Sequence, residues 1–185
     1  MLTPLSAAFV LLAAPSQPDF HFGAGASWVH IGAEQYCCSR PAGRPDGLGL
    51  SLEGQLDYGR FFLAASVAFA QGVLAGQGTD VWAPQMAIGR IGYLLLDAPV
   101  APYLAAGAGW LRELLPDGDS PPNMLEGSGG ALLAEAGVQA WRGWRNGRAV
   151  AFVHLLQPLF SDPASPGHPT PSTKTCWQAG LRILY

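Results

Sequence analysis

Apolar and polar residues alternate along the end of the chain. One set of alternate positions is largely apolar and ends on an aromatic residue: Thr175, Trp177, Ala179, Leu181, Ile183 and Tyr185. The other set is small or polar for most of its length: Cys176, Gln178, Gly180, Arg182 and Leu184. A period of two predicts a β-strand with one apolar face and one polar face.

The same alternation, interrupted by turn residues, predicts eight strands. Their expected ranges are Phe20–Ile31, Leu48–Tyr58, Phe61–Ala70, Val81–Leu95, Tyr103–Arg112, Ala131–Trp141, Ala149–Leu156 and Thr175–Tyr185. The links after the even-numbered strands are short: Gly59-Arg60, Leu96–Ala101 and Arg142–Arg148. The links after the odd-numbered strands are longer: Ala33–Gly47, Gln71–Asp80, Leu114–Gly130 and Phe160–Lys174. Short turns at one end and long loops at the other are typical of membrane-spanning barrels of the bacterial outer membrane. We therefore expect an all-β, eight-stranded antiparallel up-and-down transmembrane β-barrel.

Composition agrees with a surface that faces lipid. Only 12% of the 185 residues are charged, whereas 49% are hydrophobic, and soluble domains carry about 25% charged residues. The net charge of −3 and the lack of a basic, aromatic-interleaved patch argue against a nucleic-acid partner. Membrane lipids are the expected partners, the barrel is expected to be a monomer, and the long loops are the expected surface for an extracellular partner.

Charged residues are rare inside the predicted strands. The four that lie well inside are Glu53, Arg90, Glu135 and Arg182, one on each even-numbered strand. A charge facing lipid at the bilayer midplane costs about 2–4 kcal/mol, so all four are assigned to the lumen, which turns Gln85 toward the lipid. Two acids and two bases at one level can pair. We expect an ionic network of these four that fills the lumen, with hydrogen bonds from Ser51, Gln55, Gln139 and Gln178. An eight-stranded barrel is only wide enough for its own side chains.

The N-terminus carries an apolar segment, Leu5–Ala14, that is too short to span a membrane as a helix. Its length fits the core of a secretory signal, and Ala14-Pro15-Ser16 is a plausible cleavage site, although no Lys or Arg precedes it. We expect residues 1–16 to be a cleaved signal peptide and residues 17–185 to form the barrel domain. A buried N-terminal segment of a cytosolic domain is the alternative.

These features resemble the small eight-stranded barrels of the OmpA transmembrane-domain and OmpX type. The resemblance covers roughly residues 20–185 and includes the stretch Pro102–Trp110, which looks like the fifth strand of such proteins. The aromatic residue at the end of the last strand, Tyr185, also fits this resemblance. The resemblance implies an outer-membrane location in a Gram-negative bacterium. It implies a structural or cell-surface interaction role without indicating a specific activity.

Catalytic and cofactor signals are weak, so neither an enzyme nor a bound cofactor or metal is expected. His154 lies in the seventh strand without a nearby serine in sequence, and His21, His30 and His168 have no metal-ligand spacing. A lipid-modifying enzyme, a narrow pore and a soluble ligand-binding barrel remain the alternatives. The soluble barrel would need its apolar faces to point inward.

Aromatic residues and arginines mark the expected membrane boundaries. The aromatic residues near strand ends are Trp28, Tyr58, Tyr93, Trp110, Trp141, Trp177 and Tyr185, which suggests girdles. Arg142, Arg145 and Arg148 crowd the last short turn with Trp144, where they could contact lipid headgroups or remain solvated.

Cys176 begins the last strand, while Cys37 and Cys38 lie in the loop after the first. Closing the barrel makes these strands neighbours, so a disulfide from Cys176 to Cys37 or Cys38 is geometrically plausible in an oxidising compartment. Three reduced cysteines are the alternative. We expect non-reducing peptide mapping of the exported protein to recover a cross-linked peptide that contains Cys176. Recovery of Cys176 only as the reduced thiol would contradict the disulfide.

Overall fold

The structure is a computed structural model that describes residues 18–30, 33–34, 45–74, 81–82, 85–116, 124–142, 147–159, 172–173 and 175–185. Eight long strands build it: β1 Asp19–His30, β2 Pro45–Tyr58, β3 Phe61–Leu74, β4 Gln85–Leu94, β5 Val100–Pro116, β6 Met124–Ala140, β7 Arg148–Pro158 and β8 Cys176–Leu184. Three two-residue strands add to the long-loop end: Ala33–Glu34, Val81–Trp82 and Ser172–Thr173. The part of the chain that is described contains no helix that could cross a membrane.

Each long strand pairs antiparallel with its neighbours in the sequence, and β1 pairs with β8 to close the sheet. The closing ladder runs from Gly23 opposite Leu184 to His30 opposite Trp177. The turn between β2 and β3 is only Gly59 and Arg60, and Gly59 has a φ of 63°. A side chain is disfavoured at that φ, which accounts for glycine at this turn. The predicted all-β, eight-stranded antiparallel barrel is confirmed.

The strand bounds differ from the predicted ones mainly at the long-loop end. β4 begins at Gln85, and Val81–Trp82 pairs separately with the end of β3. β5 and β6 continue as a ladder up to Pro116 opposite Met124, although Leu114–Gly130 was predicted to be a loop. Beyond the membrane both faces of a strand can meet water, so the sequence no longer alternates and the strand signal disappears.

The two faces of the strands point as the alternation predicted. Leu50 and Leu181 lie on the outside with exposed fractions of 70% and 64%. Glu53 and Arg182 lie inside with exposed fractions of 2% and 4%. Gln85 shares the outward set of β4, while Arg90 is buried. The apolar rows therefore form the outer surface and the polar rows form the lumen.

The lumen is filled in layers along the barrel axis. The layer toward the long loops, here called the apolar layer, consists of buried Val29, Ala68, Ala70, Met86, Ile88, Leu111, Ala131, Leu133, Leu156 and Cys176. A second apolar cluster lies toward the short turns: Phe62, Ala64, Leu94, Ala101, Tyr103, Ala105, Val150 and Leu184. Charged groups lie between and beside these clusters. The lumen is thus less polar than the sequence analysis implied.

Large inward side chains are accommodated by glycines on the adjacent strand. Phe62 on β3 pairs with Gly92 on β4, and a Cβ at Gly92 would lie 2.0 Å from the Phe62 ring. The ring of Phe62 meets that of Tyr103 edge-on, with 5.3 Å between centroids. Because both rings are buried, Phe62 has no free space into which it could move.

We predict that Gly92→Ala destabilises the barrel by about 1–3 kcal/mol, the usual cost of overpacking a filled interior. The measurement is urea unfolding in detergent, followed by the different gel mobility of folded and unfolded barrels. Gly89→Ala on the same strand is the matched control, since a Cβ there would lie 3.9 Å from its nearest neighbour, the Ala108 carbonyl oxygen. Equal midpoints for the two variants would contradict this packing argument.

Candidate functional site

Four charged side chains meet in the middle of the lumen: Glu53, Arg90, Glu135 and Arg182. They are the four residues that the sequence analysis assigned to an internal network. They come from β2, β4, β6 and β8, so every second strand contributes one. We call this group the ionic layer. Each carboxylate contacts both guanidinium groups, which makes the layer a closed, formally neutral ring.

Glu135 is the best-bonded member of the ionic layer. Arg182 donates to both of its oxygens, from Nη1 to Oε1 at 3.0 Å and from Nη2 to Oε2 at 2.8 Å. The Tyr103 hydroxyl donates to Oε1 at 2.7 Å, and Nδ1 of His154 lies 3.4 Å from Oε2. Two-point bonding by a guanidinium is the strongest way to hold a carboxylate in a dry interior.

Glu53 is held by charge more than by aligned hydrogen bonds. Its Oε2 lies 3.2 Å from Nε of Arg182, and its Oε1 contacts Nη2 of Arg90. Neither oxygen has a hydrogen bond of good geometry among the described residues. Arg90 also reaches Glu135, with 3.4 Å from Nε to Oε1, and donates to Oγ of Ser66 at 3.3 Å. The two carboxylates are therefore unequal.

Two glycines lie opposite the arginines of the ionic layer, and one aromatic ring packs on a guanidinium group. Gly107 pairs with Arg90, and a Cβ there would lie 2.8 Å from Cβ of Arg90. Gly25 pairs with Arg182, and a Cβ there would lie 2.7 Å from its Cγ. The guanidinium of Arg182 lies over the Phe152 ring, 3.5 Å from its centroid, in a cation–π contact.

A second polar cluster lies nearer the short turns. Arg148 on β7 forms an ion pair with Asp57 on β2, and its Nη1 donates to Oε1 of Gln139 at 3.2 Å. Gln55 donates to Asp57 at 2.6 Å, and Nε2 of His21 lies 3.7 Å from the same carboxylate. The sequence analysis missed this cluster because it counted Arg148 as part of a turn. The signal was available, since Asp57 shares the inward set of β2 with Glu53.

The hydrogen-bonding partners expected around the ionic layer are corrected by this geometry. Gln55 donates to Asp57, Gln139 accepts from Arg148, and Gln178 donates to Ser27. Their side chains reach the nearest polar group on their own or an adjacent strand, and the ionic layer takes Ser66, Tyr103 and His154 instead. Ser51 faces the lumen next to Gly25.

The remaining candidates are placed as follows. His154 is buried in the lumen beside Glu135 and stacks on Phe152. Cys176 is buried in the apolar layer, whereas Cys37 and Cys38 lie outside the described residues. Arg142 pairs with Asp97 at 3.4 Å at the short-turn end; Trp144 and Arg145 are not among the described residues. The described residues include no cluster of His, Cys, Asp or Glu that could hold a metal.

The outer surface is an apolar belt between two aromatic girdles. The short-turn girdle is formed by Phe20, Phe22, Tyr58, Phe61, Tyr93, Trp141 and Tyr185, and the long-loop girdle by Trp28, Phe69, Trp110 and Trp177. On β1, β3 and β8 the two girdles are eight residues apart. With about 3.4 Å per residue and a tilt of about 40°, that spacing spans roughly 20 Å, close to the ~25 Å apolar band of outer-membrane barrels. A closed barrel with such a belt is an outer-membrane protein.

Solved structures with the same architecture agree with this assignment. Neisserial surface protein A (NspA) is 12% identical, with a TM-score of 0.65, over 91% of this chain and 98% of its own. The fold is that of small outer-membrane barrels. OprG from Pseudomonas aeruginosa is 11% identical, with a TM-score of 0.53, over 92% and 97%. Ail of Yersinia pestis is 12% identical, with a TM-score of 0.51, over 90% and 97%. No family model and no curated sequence matches the chain.

We predict that Glu135→Gln destabilises the barrel by about 3–5 kcal/mol, because it leaves uncompensated positive charge in a buried ring. Glu53→Gln removes the same charge from the same layer but breaks fewer aligned hydrogen bonds, so its cost is smaller. Unfolding midpoints in urea, compared between the two variants, measure the difference. A larger loss for Glu53→Gln would show that hydrogen bonding does not decide the strength of the ring.

Proposed function

We propose that this protein is a closed, non-conducting outer-membrane barrel that presents its long-loop end for interaction at the cell surface and carries no catalytic activity. Residues 1–16 are a cleaved signal peptide in this proposal, and residues 17–185 form the barrel as a monomer in contact with membrane lipids. The observation that carries the proposal is the filled lumen.

The filling of the lumen supports a plug in preference to a channel. Phe62, Tyr103, Leu94, Leu111, Leu156 and Leu184 all point inward and are almost completely inaccessible to water. They lie on both sides of the ionic layer. An ion would have to displace packed apolar side chains at both levels and also break the ionic ring. This packing gives the ionic ring no role in conduction. Its role is to pair the buried charges and to fix which face of each strand points inward.

The β5–β6 ladder supports a role at the surface. Trp110 belongs to the long-loop girdle, and the ladder continues beyond it to Pro116 opposite Met124. Six further residues at about 3.4 Å each carry the paired strands roughly 20 Å past the girdle along the strand direction. A paired hairpin is a firmer support for recognition than a loop alone. Two of the similar structures are those of a Neisserial surface protein and of an attachment invasion locus protein.

The position of His154 supports the absence of lipid chemistry. Its side chain points into the lumen, and its partners are Glu135 and Phe152. A general base that acts on a lipid must reach the outer face or the outer rim of the barrel. His154 is separated from the bilayer by the barrel wall, which suits a structural histidine.

We predict that the purified protein in planar bilayers shows no discrete conductance steps. Outer-membrane fractionation and heat-dependent gel mobility serve as controls that the sample is folded and correctly located. Glu53→Ala and Arg182→Ala should also show no conductance steps, since the apolar layer still blocks the lumen. Reproducible steps in the unmodified protein that change with either variant would replace the plug with a narrow pore.

A further inference from the structure

The apolar belt contains a groove of about 540 Å³. It crosses β2, β3 and β4 on the outer face, where its lining includes Gly54, Leu56, Leu63, Ala65, Gly89 and Ile91, and it is bordered by Phe20 on β1 and Ala106 on β5. Gly54 pairs with Ala65, and Ala65 pairs with Gly89, so three small outward residues form a row across three strands. The row lies on the bilayer side of the wall, halfway between Phe61 and Phe69 of the two girdles.

The two glycines of this row are not required by packing within the chain. A Cβ at Gly89 would lie 3.9 Å from its nearest neighbour, and a Cβ at Gly54 would lie 3.5 Å from the Phe20 ring. In contrast, a Cβ at Gly107, which faces the lumen, would lie 2.2 Å from the backbone oxygen of Gly89. Glycine inside a strand is destabilising relative to alanine. Their absent side chains leave space on the outer face, which the Phe20 ring borders at the Gly54 end and which is open at Gly89.

The groove extends from this row toward the short-turn end only. Leu56, Leu63 and Ile91, which line it, are the next outward residues toward the short turns. Their counterparts on the long-loop side of the row, Leu52, Val67 and Ala87, do not line it. Short turns face the periplasm in this architecture. The groove therefore opens into the periplasmic leaflet of the membrane.

A cation lies beyond the short-turn end of the groove, beside the aromatic girdle. The guanidinium of Arg60 lies 5.3 Å from the centroid of the Tyr93 ring and donates to the Leu95 carbonyl. Tyr93 packs on Phe61, with 4.9 Å between centroids. Arg60 forms no ion pair with any carboxylate in the part of the chain that is described, unlike Arg142 beside Asp97. Its positive charge lies at headgroup level, where an anionic lipid headgroup would be attracted to it.

The distances fit one lipid leaflet. Tyr93 and Gly89 are four residues apart on β4, which at about 3.4 Å per residue and a tilt of about 40° is a depth of roughly 10 Å. Half of the ~25 Å apolar band is about 12 Å. A chain anchored by its headgroup beside Arg60 and Tyr93 would therefore end near the row of small residues.

We propose that this groove binds one phospholipid of the periplasmic leaflet, with an acyl chain over Gly54, Ala65 and Gly89 and the phosphate beside Arg60. The inference rests on the membrane placement of the barrel and is independent of the plugged lumen. Binding combines packing against the floor of the groove with the attraction of an anionic headgroup to a cation at the membrane surface.

Native mass spectrometry of the full barrel in detergent, titrated with 1-palmitoyl-2-oleoyl-phosphatidylglycerol, tests the proposal. The wild type should bind one lipid saturably. Gly89→Leu places a side chain in the groove from a Cβ that would lie 3.9 Å from its nearest neighbour, and it should weaken binding about tenfold or more, because the acyl chain loses its packing contacts. Arg60→Gln should weaken binding several-fold, and this loss should shrink in high salt, since it is electrostatic. Ala151→Leu is the matched control, an outward alanine on β7 in the opposite wall, and should bind as the wild type does.

Each contrary outcome has a distinct meaning. Equal binding by Gly89→Leu and the wild type overturns the site, and an equal loss in Ala151→Leu shows nonspecific annular lipid only. Dimers without lipid that Gly89→Leu abolishes would identify a second copy as the occupant and overturn the proposal. Heat-dependent mobility checks folding, and Gly54→Leu replaces Gly89→Leu if that variant does not fold. Recovery of the wild type as soluble protein would instead overturn the membrane placement.

Discussion

The exclusion of charge from hydrocarbon fixes the orientation of every strand in this barrel. Because side chains alternate between two faces, a slip of one residue in any strand would exchange its inner and outer sets. On β2 such a slip would place Glu53 in the bilayer and Leu52 in the lumen. A charge at the membrane midplane costs about 2–4 kcal/mol, and the loss of its partners in the ionic layer adds to that cost. One charge on each even-numbered strand therefore sets the register of the whole sheet through its two neighbours.

The charges of the lumen cancel within short distances. Glu53 and Glu135 balance Arg90 and Arg182 in the ionic layer, while Asp57 balances Arg148 nearer the short turns. The ionic layer lies between two apolar clusters, where an unpaired charge would be very costly. The apolar layers in turn need the charged ones, because inward apolar residues alone would be compatible with the opposite orientation of the strands. The same set of inward side chains thus both fills the lumen and keeps it electrically neutral.

Much of this arrangement could be predicted from the sequence because both faces of a membrane strand have strong and opposite preferences. The alternation at Leu48–Tyr58 and at the C-terminus identified the strands and their inward sets. The same alternation between odd and even positions, here called parity, assigned four charged residues to the lumen: Glu53, Arg90, Glu135 and Arg182. Their mutual contacts depend on strand tilt and side-chain reach, which parity does not contain. Arg148 was missed because a strand end and a turn look alike in sequence. Met86 and Ile88 share the lumen face with Arg90 by the same alternation, although their hydropathy alone does not distinguish the lumen from the lipid side.

The shape of the outer surface depends on side-chain size as well as on hydropathy. Lumen glycines are explained by close neighbours within the chain, the Phe62 ring at Gly92 and the backbone of Gly89 and Arg90 at Gly107, so their conformational cost is offset inside the protein. No such clash explains Gly54 and Gly89, since a Cβ at Gly54 would only reach contact distance of the Phe20 ring and a Cβ at Gly89 would lie 3.9 Å from its nearest neighbour. What distinguishes glycine there is the shape that it leaves. If stability alone had determined the belt, larger residues would be favoured at these positions. The groove is therefore best understood as a surface shaped to fit a lipid, on a barrel whose interior is closed.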